Sequence, residues 1–186
     1  MTTIQDGGVT ITLGLTAHQR YDSPAVTNDG VNTFYAAPGY SSSGSPAGAT
    51  WNFGFYVSVQ GGSYNNYDFT LYFENDPATG NAPDQGRSIN PLFGVGLYGT
   101  YSNNTYQGTQ NLNFSLFDGS NFDPNAEGEY QFSLVVRKNG NVLGSADMTV
   151  VVGDAPAAAV VPSPAAAGAG IALLAGMGAM RLRRRR

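Results

Sequence analysis

The chain has a single histidine, His18, followed by Gln19 and Arg20. A Ser-His-Asp site or a metal-imidazole site needs partners at useful spacing: a nucleophile, or a second nitrogen, sulfur or carboxylate ligand. None accompanies His18, and there is no cysteine to supply a thiolate, so the histidine reads as a surface residue and no metal is assigned. One segment is dense in oxygen ligands, Asp118-Gly119-Ser120-Asn121-Phe122-Asp123-Pro124-Asn125-Ala126-Glu127-Gly128-Glu129. Its hard oxygens suit calcium in kind but not in EF-hand spacing. Asx-turn and Pro-turn chemistry accounts for Asp118, Asp123, Pro124 and Gly128 without an ion. Paired carboxylates for glycoside hydrolysis can be drawn from Asp68, Glu74, Asp76 and Asp84, but such a pair is defined by separation in space. Tyr56 and Tyr72 alternate with apolar neighbours and are expected to face outward. Flat exposed rings there can take a sugar, although β propensity alone also places tyrosine on a sheet surface. No glycine-rich loop precedes a helix, so no phosphate cradle is present. Neither a catalytic residue nor a cofactor is assigned.

Charge separates the tail from the rest. Of nine basic residues five lie at or after Arg181, which leaves Arg20, Arg87, Arg137 and Lys138 against all thirteen acids, a body charge of 4 minus 13, or −9. That excludes the basic footprint that nucleic acid requires and a polybasic membrane patch. Without cysteine the fold must rest on its hydrophobic core, and about 155 residues suffice for one such core.

The elements that must position these residues are strands. Val9, Ile11, Leu13 and Leu15 alternate with Thr10, Thr12, Gly14 and Thr16, the period of a half-buried strand. Trp51, Phe53, Phe55, Val57 and Val59 form the clearest inward row, followed across Gly61-Gly62-Ser63-Tyr64-Asn65-Asn66 by Tyr67, Phe69, Leu71 and Phe73. The two read as an antiparallel hairpin, with Asp68 and Glu74 on its solvent face. Leu112, Phe114 and Leu116 mark another strand, and Tyr130, Phe132, Leu134 and Val136 a further one; Val31–Ala36 and Leu92–Tyr98 are weaker. Long loops are expected over Tyr35–Thr50 and Pro77–Pro91. For the last hairpin, a two-residue Asn139-Gly140 turn would pair Val136 with Leu143 and Phe132 with Asp147, placing the acid on the buried face. Polarity instead selects a type I turn over Lys138-Asn139 with Gly140 left-handed, pairing Val136 with Val142, Phe132 with Ala146 and Tyr130 with Met148. Short strands separated by turn signals describe an all-β fold, an antiparallel β-sandwich of Ig-like or jelly-roll-like kind, over residues 1–153.

An Ala/Pro linker over 154–160 leads to Val161-Pro162-Ser163-Pro164, an apolar run from Ala165 to Met180, and Arg181-Leu182-Arg183-Arg184-Arg185-Arg186. Sixteen helical residues rise about 24 Å against a hydrocarbon core of about 30 Å. The run is rich in alanine and glycine, so a C-terminal hydrophobic helix there is a marginal membrane segment. The arginines hold its end in the cytoplasm and place the body on the far side. This suits a temporary stop of the kind removed from lipid-anchored proteins.

The three-part tail over 161–186 resembles the PEP-CTERM sorting signal of Gram-negative bacterial envelope proteins, in which Ser163 stands where the family commonly has glutamate. The resemblance implies an exosortase-like membrane protease as partner, Val161, Pro162, Ser163 and Pro164 as the motif it reads, and Arg181, Arg183, Arg184, Arg185 and Arg186 as the cytoplasmic anchor. It also implies a destination in the cell envelope or an extracellular polysaccharide matrix. Met1–Gly8 has no basic n-region and no apolar h-region, so an export signal is expected upstream of Met1. The resulting expectation is a non-enzymatic surface or matrix protein; a carbohydrate-binding module is the alternative, and a secreted hydrolase a third reading.

Overall fold

A computed structural model describes residues 1–153 except 45–46, 78–82, 84, 89–98, 115–116 and 118–121. The expected linker, sorting motif, apolar helix and arginine cluster, the strand over Leu92–Tyr98, and Asp84 and Asp118 therefore lie outside the described residues.

Among the described residues eleven strands form two sheets: β1 (Thr2–Asp6), β2 (Val9–Gln19), β3 (Thr27–Asn28), β4 (Thr33–Ala36), β5 (Trp51–Gln60), β6 (Asp68–Phe73), β7 (Gln85–Ser88), β8 (Thr100–Ser102), β9 (Thr105–Gln110), β10 (Gly128–Lys138) and β11 (Asn141–Val152). One sheet has the order β1-β2-β5-β9-β8, the other β3-β4-β11-β10-β6-β7. Every pairing is antiparallel except β4 with β11. The all-β architecture is as expected, and the inward rows over Val9–Leu15, Trp51–Val59, Tyr67–Phe73 and Tyr130–Val136 meet in one core between the sheets. That core is aromatic: Trp51 packs on Phe122, Tyr130 and Phe132, and Phe53 on Phe117 and Phe132. Large rings suit a gap of about 10 Å between facing sheets.

Several pairings differ from expectation. The strands over Trp51–Gln60 and Asp68–Phe73 are not a hairpin but lie in different sheets. Between them a 3₁₀ turn over Tyr64–Asn66, capped by Ser63, buries Tyr64 completely against Phe69 and Tyr101. A buried tyrosine in the link carries the chain across the edge of the core, whereas a hairpin turn would leave it in water. The last hairpin also has another register. Asn139 and Gly140 both take positive φ, 51° and 80°, the signature of a two-residue type I′ turn, with Lys138 opposite Asn141 and Arg137 opposite Val142. The ladder then shifts, so that Val136 faces Gly144, Phe132 faces Met148 and Tyr130 faces Val150. The extra residue, Leu143, is a β-bulge. It resolves the polarity conflict by another route, putting Asp147 opposite Ser133 on the exposed side.

Leu112–Phe114 is a turn, not a strand. The fully buried Asn111 just before it fixes this segment: its Oδ1 accepts from the Asn113 and Ala49 amides. Glu74 is buried just past the end of β6 rather than on a solvent face. The expected loop over Pro77–Pro91 contains β7, an edge strand beside β6.

The β1–β2 hairpin closes one side of the sandwich. Ile4 packs where a Cβ on Gly144 would lie 2.8 Å from it. Asp6 Oδ2 accepts from Lys138 Nζ at 2.6 Å and from the Tyr67 hydroxyl at 2.8 Å. The Lys138 and Tyr67 hydrogen bonds hold the Asp6 carboxyl below its ordinary range. A depressed carboxyl stabilises the folded state above the unfolded-state value and loses that contribution as pH falls through the folded value. Asp6→Asn is therefore expected to lower the melting temperature at pH 7, with the gap from wild type narrowing below about pH 4. Thermal melts of both proteins between pH 7 and pH 3 check this; a gap that stays constant with pH would remove the ion pair as its cause.

Candidate functional site

The outer face of the β1-β2-β5-β9-β8 sheet carries a trough of about 500 Å³. Its position follows from strand register. Gly14 on β2 lies opposite Tyr56 on β5, and Tyr56 lies opposite Gln107 on β9. One step along the sheet, Thr16 faces Gly54 and Gly54 faces Thr109. Both glycines are buried, Gly14 against the Met1 side chain and Gly54 against Thr16, so small groups form the floor and the Tyr56 side chain stands beside it. Thr16, Thr100, Gln107 and Thr109 are exposed around it, and Met1 reaches the Gly14 end. Among the described residues no charged side chain lines the trough.

Neither glycine is required by backbone conformation, since neither has the positive φ seen at Gly7, Gly8 or Gly140. Gly54 is held by space: a Cβ there would sit 3.0 Å from Thr16 Cγ2. At Gly14 an added Cβ would meet only ordinary contacts, at 3.4 Å from Tyr56 Cβ and 3.5 Å from Met1. Glycine inside a strand weakens it and often marks close approach of another group.

His18 lies on this same outer face of β2, next to the trough. Its Nε2 is 3.3 Å from Thr109 Oγ1 and its Nδ1 3.0 Å from the Gln19 carbonyl oxygen. The tautomer that satisfies both carries the proton on Nδ1, donates to the carbonyl and accepts from the threonine. Its partners are thus a hydroxyl and a carbonyl. Among the described residues no carboxylate bonds to His18, so the pair orients Thr109 and does not form a charge-supported nucleophile. The surface reading of His18 is compatible with this placement.

The other sequence candidates are scattered. Tyr72 does face outward, but on the opposite sheet, where Arg137 Nη2 donates to its hydroxyl at 3.1 Å and the guanidinium lies 5.5 Å from the ring centre. Tyr56 and Tyr72 therefore cannot form one platform. Asp68 and Glu74 occupy opposite ends of β6, about 20 Å apart for six strand steps, far beyond the spacing of glycosidase carboxylates. Glu74, Asp76 and Asp123 share the end near Tyr130, whose hydroxyl donates to the Ala126 carbonyl at 3.2 Å. Burial, reinforced by those three acids, pushes the Tyr130 hydroxyl well above its usual range. Asp123 Oδ1 accepts from the Asn125 amide at 2.9 Å, the Asx turn expected of this loop. Among the described residues no group of three His, Cys, Asp or Glu side chains is placed to hold a metal ion, and no helix is long and apolar enough to cross a membrane.

Of the trough residues, sequence reasoning singled out only Tyr56. The available signal was a pair of glycines interrupting two otherwise strong strands at outward positions. Comparison of the chain with protein-family models and with curated proteins gives no match.

Proposed function

We propose that this chain is an exported, non-enzymatic protein of the cell envelope or extracellular matrix, delivered by an exosortase-like membrane protease that reads its C-terminal signal. The observation that carries the reading is the order of the tail: Val161-Pro162-Ser163-Pro164, sixteen apolar residues, then arginines. Proline keeps the segment before the apolar run extended and out of the helix, which offers backbone to an enzyme at the membrane face. The arginines retain the other end in the cytoplasm while that happens.

The body suits an extracellular module. Its strand order supports the Ig-like over the jelly-roll form: β2-β5-β9-β8 corresponds to A-B-E-D and β11-β10-β6 to G-F-C, with β7 beside C. Tyr130, near the start of the F-equivalent β10, bonds back to the backbone four residues upstream, which is the tyrosine corner of such sandwiches. A sandwich of this kind does not name an activity, so the destination rests on the tail.

Intact mass spectrometry of the protein from its native host tests the proposal. Mature molecules are expected to lack the apolar run and the arginines, and replacing Pro162 and Pro164 by alanine should leave an uncleaved, membrane-retained form. Mature molecules still ending at Arg186 would make the tail a permanent anchor and end the sorting reading.

A further inference from the structure

We propose that the trough on the outer face of the β1-β2-β5-β9-β8 sheet binds a neutral hexose polysaccharide. The inference goes beyond the sorting reading and does not depend on it, because every trough residue lies between Met1 and Thr109.

Three features define the ligand. Among the described residues the lining has no charged side chain, so a charged polymer finds no side-chain counter-charge there, while the body's net charge of −9 repels polyanions. Polar groups remain unspent: the Tyr56 hydroxyl, the Gln107 amide and the Thr16 hydroxyl make no hydrogen bond to any described residue, and hydroxyls and amides match the donors and acceptors of a sugar ring. Finally, the strand partner of Tyr56 on the β2 side is a glycine, Gly14, so no bulky side chain stands directly opposite it there. A flat ring can lie against Tyr56, whose ring face offers its negative quadrupole to the sugar's C–H groups.

Gly14 supplies the sharpest test. An added Cβ at Gly14 would meet Tyr56 and Met1 at ordinary contact distance, and valine has higher strand propensity than glycine, so Gly14→Val is expected to keep the fold while crowding the space beside Tyr56. The full-length protein, in a sugar-free zwitterionic detergent, would be run in native gels containing hydroxyethyl cellulose, mixed-linkage β-glucan, galactomannan or alginate. Retardation is expected with at least one of the three neutral polymers and not with alginate. Tyr56→Ala should weaken it by about tenfold or more, from loss of ring contact. Gln107→Ala, at an exposed position, should weaken it to a lesser degree. Gly14→Val should abolish it while keeping the far-ultraviolet circular dichroism of the folded protein, and Tyr72→Ala, on the opposite sheet, should leave it intact. Migration unchanged by all three neutral polymers would overturn the proposal, as would retardation by alginate alone or retardation that survives both Tyr56→Ala and Gly14→Val. None of these outcomes bears on tail cleavage, which the mass measurement reads separately.

Discussion

Asn111→Asp is expected to cost about 4 kcal/mol or more of folding free energy at pH 7, and to cost more than Asn111→Ala. Asn111 has no solvent exposure, and its amide nitrogen faces three oxygens: the Trp51 carbonyl at 2.7 Å, Asn52 Oδ1 at 2.9 Å and the Ala49 carbonyl at 3.2 Å. Its oxygen accepts from the Ala49 and Asn113 amides. The side chain thus ties the start of β5 to the turn that leaves β9. Alanine would leave these groups without partners, each at about 1–3 kcal/mol where water cannot reach. Aspartate would do worse, setting a second carboxylate oxygen against three oxygens already in place. Burial and repulsion would raise the new carboxyl above its unfolded value. A raised acid binds more protons folded than unfolded, so the deficit is largest at neutral pH and shrinks as pH falls. Urea unfolding of wild type and both variants at pH 7 and pH 4.5 decides it; an aspartate variant no weaker than the alanine variant at pH 7 would show that the amide donors carry little.

What could be read from the sequence was which side chains point inward. The alternating rows of β2, β5, β6 and β10 are buried as their period requires. Partner choice was not legible, because alternation is the same whether a strand continues its own sheet or crosses to the other. β5 and β6 show this: turn-rich residues between them resemble a hairpin, and the burial of Tyr64 that makes the link a crossover depends on contacts to Phe69 and Tyr101. β9 escaped notice because its inward positions are Tyr106, Gly108 and Gln110, only one of them a large hydrophobe. The two-residue turns carry a clearer signal in their residue types. Gly7-Gly8, Asn103-Asn104 and Asn139-Gly140 all take positive φ at both residues, and each joins adjacent strands through two residues. Type I′ chemistry favours glycine and asparagine at those positions. Only the bulge at Leu143 lay beyond that rule, since it answers to Asp147 on one side and to Ile4 against Gly144 on the other. The trough was hidden for the same reason as the sheet order. Gly14, Tyr56 and Gln107 become neighbours only when β2, β5 and β9 are adjacent.

Trp51→Ala should cost about 3–5 kcal/mol, a large share of the roughly 5–15 kcal/mol that keeps an ordinary domain folded. The indole is 2% exposed and touches Tyr130 and Phe132 on the opposite sheet, and Phe122 in the segment leading to that sheet. Truncation would open a cavity at the point where both sheets and that crossing meet, and a rigid aromatic surround can collapse only partly into it. Trp51→Phe should cost less than half as much. The indole Nε1 is buried and finds no acceptor among the described residues, and an unmet buried donor carries a penalty of about 1–3 kcal/mol. Phenylalanine gives up some ring area but removes that penalty while keeping an aromatic edge against Phe132. Trp51 is the only tryptophan, so its fluorescence disappears in both variants, and unfolding must be followed by far-ultraviolet circular dichroism in urea. A phenylalanine variant as unstable as the alanine variant would mean that the N–H is satisfied in solution and that the whole indole, its polar atom included, contributes to the core.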